Sequence, residues 1–139
     1  MTVLKITIPS QTENIRIVES FIDNARDRYS LSDDIYGNIM VAVTEAVNNA
    51  IIHGNKCDKD KNVLLSLQVD NNTLHFVVRD EGSGFDPDKL PDPTAPENLL
   101  NPGGRGIFLM KHLSDRFIVA AGGKEMRLTF AAQTLSSLS

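Results

Sequence analysis

Residues 2 to 8 alternate, with Val3 (or Leu4), Ile6 and Ile8 apolar, and this two-residue period predicts a first strand that Pro9 and Ser10 end. Ser10 with Glu13 three residues on fits a capping box opening a helix. That helix carries Ile15, Ile17, Val18, Phe21, Ile22 and Ala25 and fades near Tyr29. Ser32 or Asp33 caps a second, more apolar helix, for which Gly54 is the stop. A charged loop over 55–61 leads to two strands, about 62 to 69 and 73 to 80, joined through Asp70-Asn71-Asn72 as a hairpin. Residues 81 to 104 are rich in Gly, Pro, Asp and Asn, and an irregular segment this long inside a small domain is usually functional. A third helix is expected from about Arg105 to Ser114. Strands follow at about 116–121 and 124–131, turning on Gly122-Gly123, and the tail from about 132 to 139 reads as frayed. The order β-α-α-β-β-loop-α-β-β predicts an α+β domain, a two-layer α/β sandwich. Its sheet is mixed, mainly antiparallel and of about five strands, with three helices on one face.

Within the second helix, Glu45, Asn49 and His53 fall at steps of four. Each such step drifts only about 40° on an α-helix, so the three share a narrow stripe. Around them lie Ile35, Ile39, Met40, Val43, Val47, Ala50 and Ile51. A carboxylate and a carboxamide in such company are costly unless a hydrogen-bond network or a ligand satisfies them.

Bulk properties narrow the function classes. A chain of 139 residues suits one domain, here 1–139, and no internal repeat is visible. The net charge of −4 lacks the basic footprint expected of a nucleic-acid binder. The lone cysteine, Cys57, excludes an intrachain disulfide and reads as a surface thiol in a reducing compartment. No apolar run approaches the roughly 20 residues of a membrane span, and the N-terminus is unlike a signal peptide. A cytoplasmic location is therefore expected.

Two further motifs carry chemistry. Asp80-Glu81-Gly82-Ser83-Gly84 follows a strand directly. Alternate glycines there let backbone approach a planar ligand, and a buried carboxylate can accept from an exocyclic amine such as that of adenine. Taken alone, the motif is weak and reads more readily as a plain turn. Gly103-Gly104-Arg105-Gly106 opens the third helix, where free N–H groups and the helix dipole suit phosphate; a flexible hinge is the alternative. There is neither a Walker-type loop nor a Gly-x-Gly-x-x-Gly after the first strand.

In this order, the three motifs resemble those of the GHKL superfamily of ATP-binding domains, which spans histidine kinases, type II topoisomerases, mismatch-repair proteins and certain heat-shock chaperones. Glu45 to His53 is similar to its N box, Asp80 to Gly84 to its first glycine box, and Gly103 to Gly106 to its second. The wording Glu-Ala-Val-Asn-Asn-Ala-Ile-Ile-His-Gly on a short chain looks most like the bacterial anti-sigma-factor serine kinases of partner-switching modules. The likeness runs from Ile6 to about Phe130 and implies the histidine-kinase-like ATPase fold.

The resemblance implies a role for each motif residue. Glu45 matches the general base, and Asn49 the residue that holds Mg²⁺. Asp80 matches the adenine acid, with Gly82 and Gly84 shaping its pocket. Gly104 and Gly106 match a mobile lid, about 85–104 with its hinge, whose amides reach the triphosphate of ATP. Arg105 between them adds charge near the γ-phosphate. His53 is carried as a phosphate-adjacent candidate, with a structural role as the alternative, while His75 and His112 read as ordinary strand and helix residues. The implied partners are a STAS-type anti-anti-sigma protein, a sigma factor and a second copy in a homodimer, with Arg16 as a candidate sigma contact. One departure stands out. The family's threonine pair before the last strand is replaced by Gly122-Gly123-Lys124-Glu125-Met126-Arg127, and Thr129 lies further along. Two other readings follow: a non-catalytic ATP-binding regulatory module, and a stand-alone histidine-kinase catalytic domain.

Overall fold

The computed structural model describes residues 2–82 and 102–132. Strand β1 is Thr2–Pro9, β2 Asn62–Asp70, β3 Thr73–Arg79, β4 Arg116–Ala120 and β5 Glu125–Ala131. Helix α1 is Ile15–Tyr29, α2 Asp33–Asn49 and α3 Pro102–Leu113. The sheet order is β1-β2-β3-β5-β4. All four pairings are antiparallel, so the parallel component expected of a mixed sheet is absent among the described residues.

Alternate residues of each central strand feed one core: Val63, Leu65 and Leu67 from β2, Leu74, Phe76 and Val78 from β3, Met126, Leu128 and Phe130 from β5. The same core takes Val18, Ile22 and Ala25 from α1, Ile39, Val43 and Val47 from α2, and Ile107 and Met110 from α3. The helices therefore cover a single face of the sheet. Each of these larger side chains contributes about 1.5–3 kcal/mol by leaving water. Helix α2 runs through the middle, packing on α1, α3, β3 and β5.

Local chemistry sets most boundaries. The β2–β3 turn places Asn71 at φ 47° and Asn72 at φ 63°, the left-handed pair that a two-residue hairpin needs and that asparagine tolerates. Helix α1 stops where Ser30 turns left-handed, at φ 52°. Ser32 caps α2 by accepting from the Ile35 N–H at 3.3 Å, and Asp33 and Asp34 suit the positive end of its dipole.

Two expectations at helix starts are corrected. The Ser10–Glu13 capping box does not form. The chain enters α1 through a 3-10 turn at Thr12–Asn14 with no side-chain cap. Ser10 is instead fully buried, donating to the Lys61 carbonyl at 2.7 Å and accepting from Asn55. Distant partners outbid the local motif. Helix α3 begins at Pro102 rather than Arg105, because proline suits the first helical position, where no N–H is required.

Candidate active site

Helix α2 carries Glu45 and Asn49, both half-buried, one turn apart. Helix α3 crosses over them at Gly106. A methyl group on Gly106 would stand 3.0 Å from Glu45 Oε2 and 3.2 Å from Asn49 Nδ2. Backbone thus covers this polar pair without a side chain between. Neither side chain makes a hydrogen bond among the described residues, and the two bring a carboxylate and a carboxamide together beneath Gly106. The backbone of Gly103 and Gly104 lies in the first turn of α3, whose leading N–H groups have no intrahelical acceptor.

His53 lies in a different kind of turn from Glu45 and Asn49. After Asn49 the helix widens into a π-helical turn, Ala50–Gly54, closed by Asn55 N–H on the Ala50 carbonyl at 2.8 Å. His53 is exposed on this turn, whereas Glu45 and Asn49 are half-buried, and it makes no hydrogen bond or ion pair to either.

The π-turn instead delivers Gly54 to Asp80. A methyl group on Gly54 would stand 2.4 Å from both Cγ and Oδ2 of Asp80. One on Gly82 would stand 1.9 Å from the Gly54 carbonyl oxygen. Both glycines are therefore required by close approach. Asp80 sits just past β3, its N–H donating to the Lys124 carbonyl at 2.9 Å and its Oδ1 accepting from the Gly82 N–H at 2.8 Å. It is 7% exposed. Burial pushes its carboxyl above the usual range; the Gly82 N–H and then the charges of Lys124, Arg79 and Lys61 work against that but do not cancel it. A buried acid whose Oδ2 takes no hydrogen bond among the described residues is suited to accept from an amine donor.

Sequence reasoning gave Gly54 as a helix stop and passed over Asn55. Asn55 is 1% exposed and hydrogen-bonded to three other segments, yet in the sequence it opens a charged loop. No local pattern marks either residue. Gly84, residues 85–101 of the lid expected over about 85–104, and the Arg105 side chain lie outside the described residues.

Thr129 does not stand in for the missing threonines. It contacts His75 Nδ1 at 3.3 Å, and it lies four residues along β5 from Glu125, about 13 Å at 3.3 Å per residue. At the Asp80 end, Glu125 instead accepts from Arg127 at 2.6 Å and pairs with Arg79 at 3.5 Å. His112 stacks on Phe108 of α3, and Cys57 is exposed, as expected. No cluster of three metal-ligating side chains occurs among the described residues, nor any helix long and apolar enough to cross a membrane.

A sequence profile described as the histidine kinase-like ATPase domain matches residues 8–130. The chain is 30% identical to the serine-protein kinase RsbW of Bacillus subtilis (strain 168) over 118 residues, covering 81% of this chain and 74% of that one. It is 25% identical to RsbW of Staphylococcus epidermidis over 123 residues, covering 84% and 77%. Among solved structures it is similar to the RsbU and RsbW domains of Rv1364c from Mycobacterium tuberculosis, with a TM-score of 0.66 at 19% identity. That match covers 94% of this chain but only 32% of the longer protein, and it speaks to the fold alone.

Proposed function

The chain belongs to the histidine kinase-like ATPase domain family, and from that premise we propose that it is an ATP-dependent protein-serine kinase and anti-sigma factor of a partner-switching module. The observation that carries the reading is the pairing of Glu45 with Asn49 under Gly106, on the same helix whose π-turn abuts Asp80. Relatives at 30% identity bearing the name serine-protein kinase support it.

In this reading Asp80 accepts a hydrogen bond from the adenine amine, and the narrow Gly54–Gly82 contact keeps side chains out of its way. The N-terminal turn of α3 presents backbone N–H groups to the phosphates. Glu45 takes the proton of the attacking serine hydroxyl as its oxygen bonds to the γ-phosphorus and the bond to the ADP oxygen breaks. Asn49 offers a neutral side-chain oxygen for magnesium. One protein oxygen fits a metal that keeps several waters and binds chiefly through substrate phosphates, where it neutralises developing charge. His53, exposed on the π-turn, has no part in these steps.

The substrate would be a serine on a small STAS-type anti-anti-sigma protein, and the sequestered partner a sigma factor. Arg16 and its neighbour Ile17, which is 45% exposed, form a candidate contact at the start of α1. A second copy would complete a homodimer. Incubating the protein with γ-labelled ATP and such a partner tests the reading, with Glu45→Gln alongside. Transfer of label to serine that falls by about 10²–10⁴-fold in the variant is expected for loss of a general base. Equal labelling by both proteins would refute the base role.

A second reading is favoured by Lys124-Glu125 standing where the threonine pair is expected. There the domain binds ATP only to shape a surface for its regulator. It predicts ATP-dependent partner capture with no phosphate transfer.

A further inference from the structure

Asn55 connects parts of the molecule far apart in sequence. Its Nδ2 donates to Ser10 Oγ at 2.7 Å and to the Asn62 carbonyl at 3.0 Å. Its Oδ1 accepts from the Glu81 N–H at 2.7 Å. The partners fix the orientation of the amide, since a carbonyl can only accept and a backbone N–H can only donate. Ser10 is held in turn: its hydroxyl and its N–H both donate to the Lys61 carbonyl, at 2.7 and 3.0 Å. Glu81 closes the circuit, its Oε2 accepting from the Asn62 N–H at 2.6 Å. The end of β1, the start of β2, the end of the π-turn and the segment after β3 thus meet at one buried carboxamide.

Glu81 is the residue next to Asp80. The Asp80 N–H is fixed on β5 through Lys124, and the Asn55 bond fixes the following N–H from the opposite side. Asn55 also closes the π-turn with its own N–H on Ala50, so it ends the helical segment that carries Glu45 and Asn49.

We propose that Asn55 is the positioning residue for base recognition, acting through the Glu81 N–H to hold the Asp80 carboxylate in register with the Glu45/Asn49 end of the site. This rests on the ATP reading above. Asn55 touches neither base nor phosphate. Its loss lets the 80–82 turn drift while α2 stays packed in the core. Base-dependent binding then suffers, and phosphate-dependent binding does not.

The test compares magnesium complexes of ATP, GTP and inorganic tripolyphosphate by calorimetry. Guanine presents a carbonyl where adenine has its amine, so a well-held Asp80 discriminates between the two. Asn55→Ala is expected to weaken ATP at least tenfold and to cut the ATP-to-GTP preference at least fivefold, leaving tripolyphosphate within twofold of wild type. A folded variant with the wild-type preference, or with tripolyphosphate weakened in parallel, overturns the proposal. If Asn55→Ala does not fold, Ser10→Ala removes one anchor of the amide, and at least a twofold loss of preference at constant tripolyphosphate affinity is expected. An unchanged preference there overturns it equally. Wild-type protein that binds tripolyphosphate but neither nucleotide refutes the ATP reading itself, and the inference with it.

Discussion

Replacing Gly54 with alanine puts a methyl group where the Asp80 carboxyl now sits, 2.4 Å from Cγ and Oδ2 and 2.9 Å from Oδ1. Ordinary contact needs roughly 3.5–4.0 Å, so a gap of about 1 Å has to open. Asp80 has little room to retreat, with its N–H tied to Lys124 and its Oδ1 to the Gly82 N–H. Overpacking of this kind costs about 1–3 kcal/mol, partly offset by up to about 1 kcal/mol from removing a helical glycine. A net loss of about 1–2 kcal/mol lowers the Tm of a chain this size by about 3–7 °C, from roughly 2.1 cal/mol/K of unfolding entropy per residue. Displacing the acceptor by about 1 Å also forfeits a charge-assisted hydrogen bond to ATP of about 1.5–3 kcal/mol, a 10- to 150-fold weaker Kd. Thermal unfolding and calorimetry with Mg-ATP read both numbers. Gly37→Ala is the control, since its methyl group meets no atom within 4 Å on α2, and it should gain up to about 1 kcal/mol with ATP binding unchanged. If Gly54→Ala behaves like Gly37→Ala in both assays, the close-approach argument is wrong.

Asp80→Asn should abolish detectable ATP binding yet leave the fold as stable or more stable at pH 7, because it removes a buried charge. The sign follows from the raised carboxyl. The folded state holds its proton more tightly than the unfolded chain does, so this contribution is present below the ordinary value of 3.8 and is lost as pH rises through the elevated folded value. The variant's advantage in urea midpoint should therefore grow as pH is raised from below 3.8 through that window, and a flat difference would contradict the burial argument. Gly106→Ala meets only the ends of two flexible side chains, so chemical denaturation should change by no more than about 1 kcal/mol. Displacing Glu45 should nevertheless slow phosphotransfer at least about tenfold in single-turnover assays. His53→Ala should leave stability within about 0.5 kcal/mol and transfer rates at wild-type level; a tenfold slower rate would restore His53 to the site.

What could be read ahead of the structure was local. The β2–β3 hairpin was legible because Asn71 and Asn72 tolerate the left-handed backbone of that turn, and α2 because Ser32 caps it and its apolar period is long. Glu45 and Asn49 were legible as a pair because a four-residue step is fixed by helix geometry. The π-turn after Asn49 carries no residue signature; it is settled by where Gly54 and Asn55 find their partners. Asn55 itself was invisible because its bonds reach 45 residues back and 26 forward. The same long-range bond took Ser10 from the capping role its neighbours suggest. Pro102 was a readable helix start that the glycines after it obscured.

The widened turn at Ala50–Gly54 has a consequence for how this chain can change length. It contains one residue more than an α-helical path between Asn49 and the contact with Asp80 would use. Deleting one of Ile51, Ile52 or His53 would remove that surplus residue and let the helix run on as an ordinary one to the same contact, with Gly54 still against Asp80. Inserting one would add a second surplus residue and turn Gly54 by about 100° around the axis, away from Asp80. Exposed Ile52 and His53 can be exchanged for other side chains, because neither is held by a partner across the site. The five positions from 50 to 54 therefore form a spacer that can lose a residue more easily than gain one, and whose identity is constrained most at its end, where Gly54 meets Asp80.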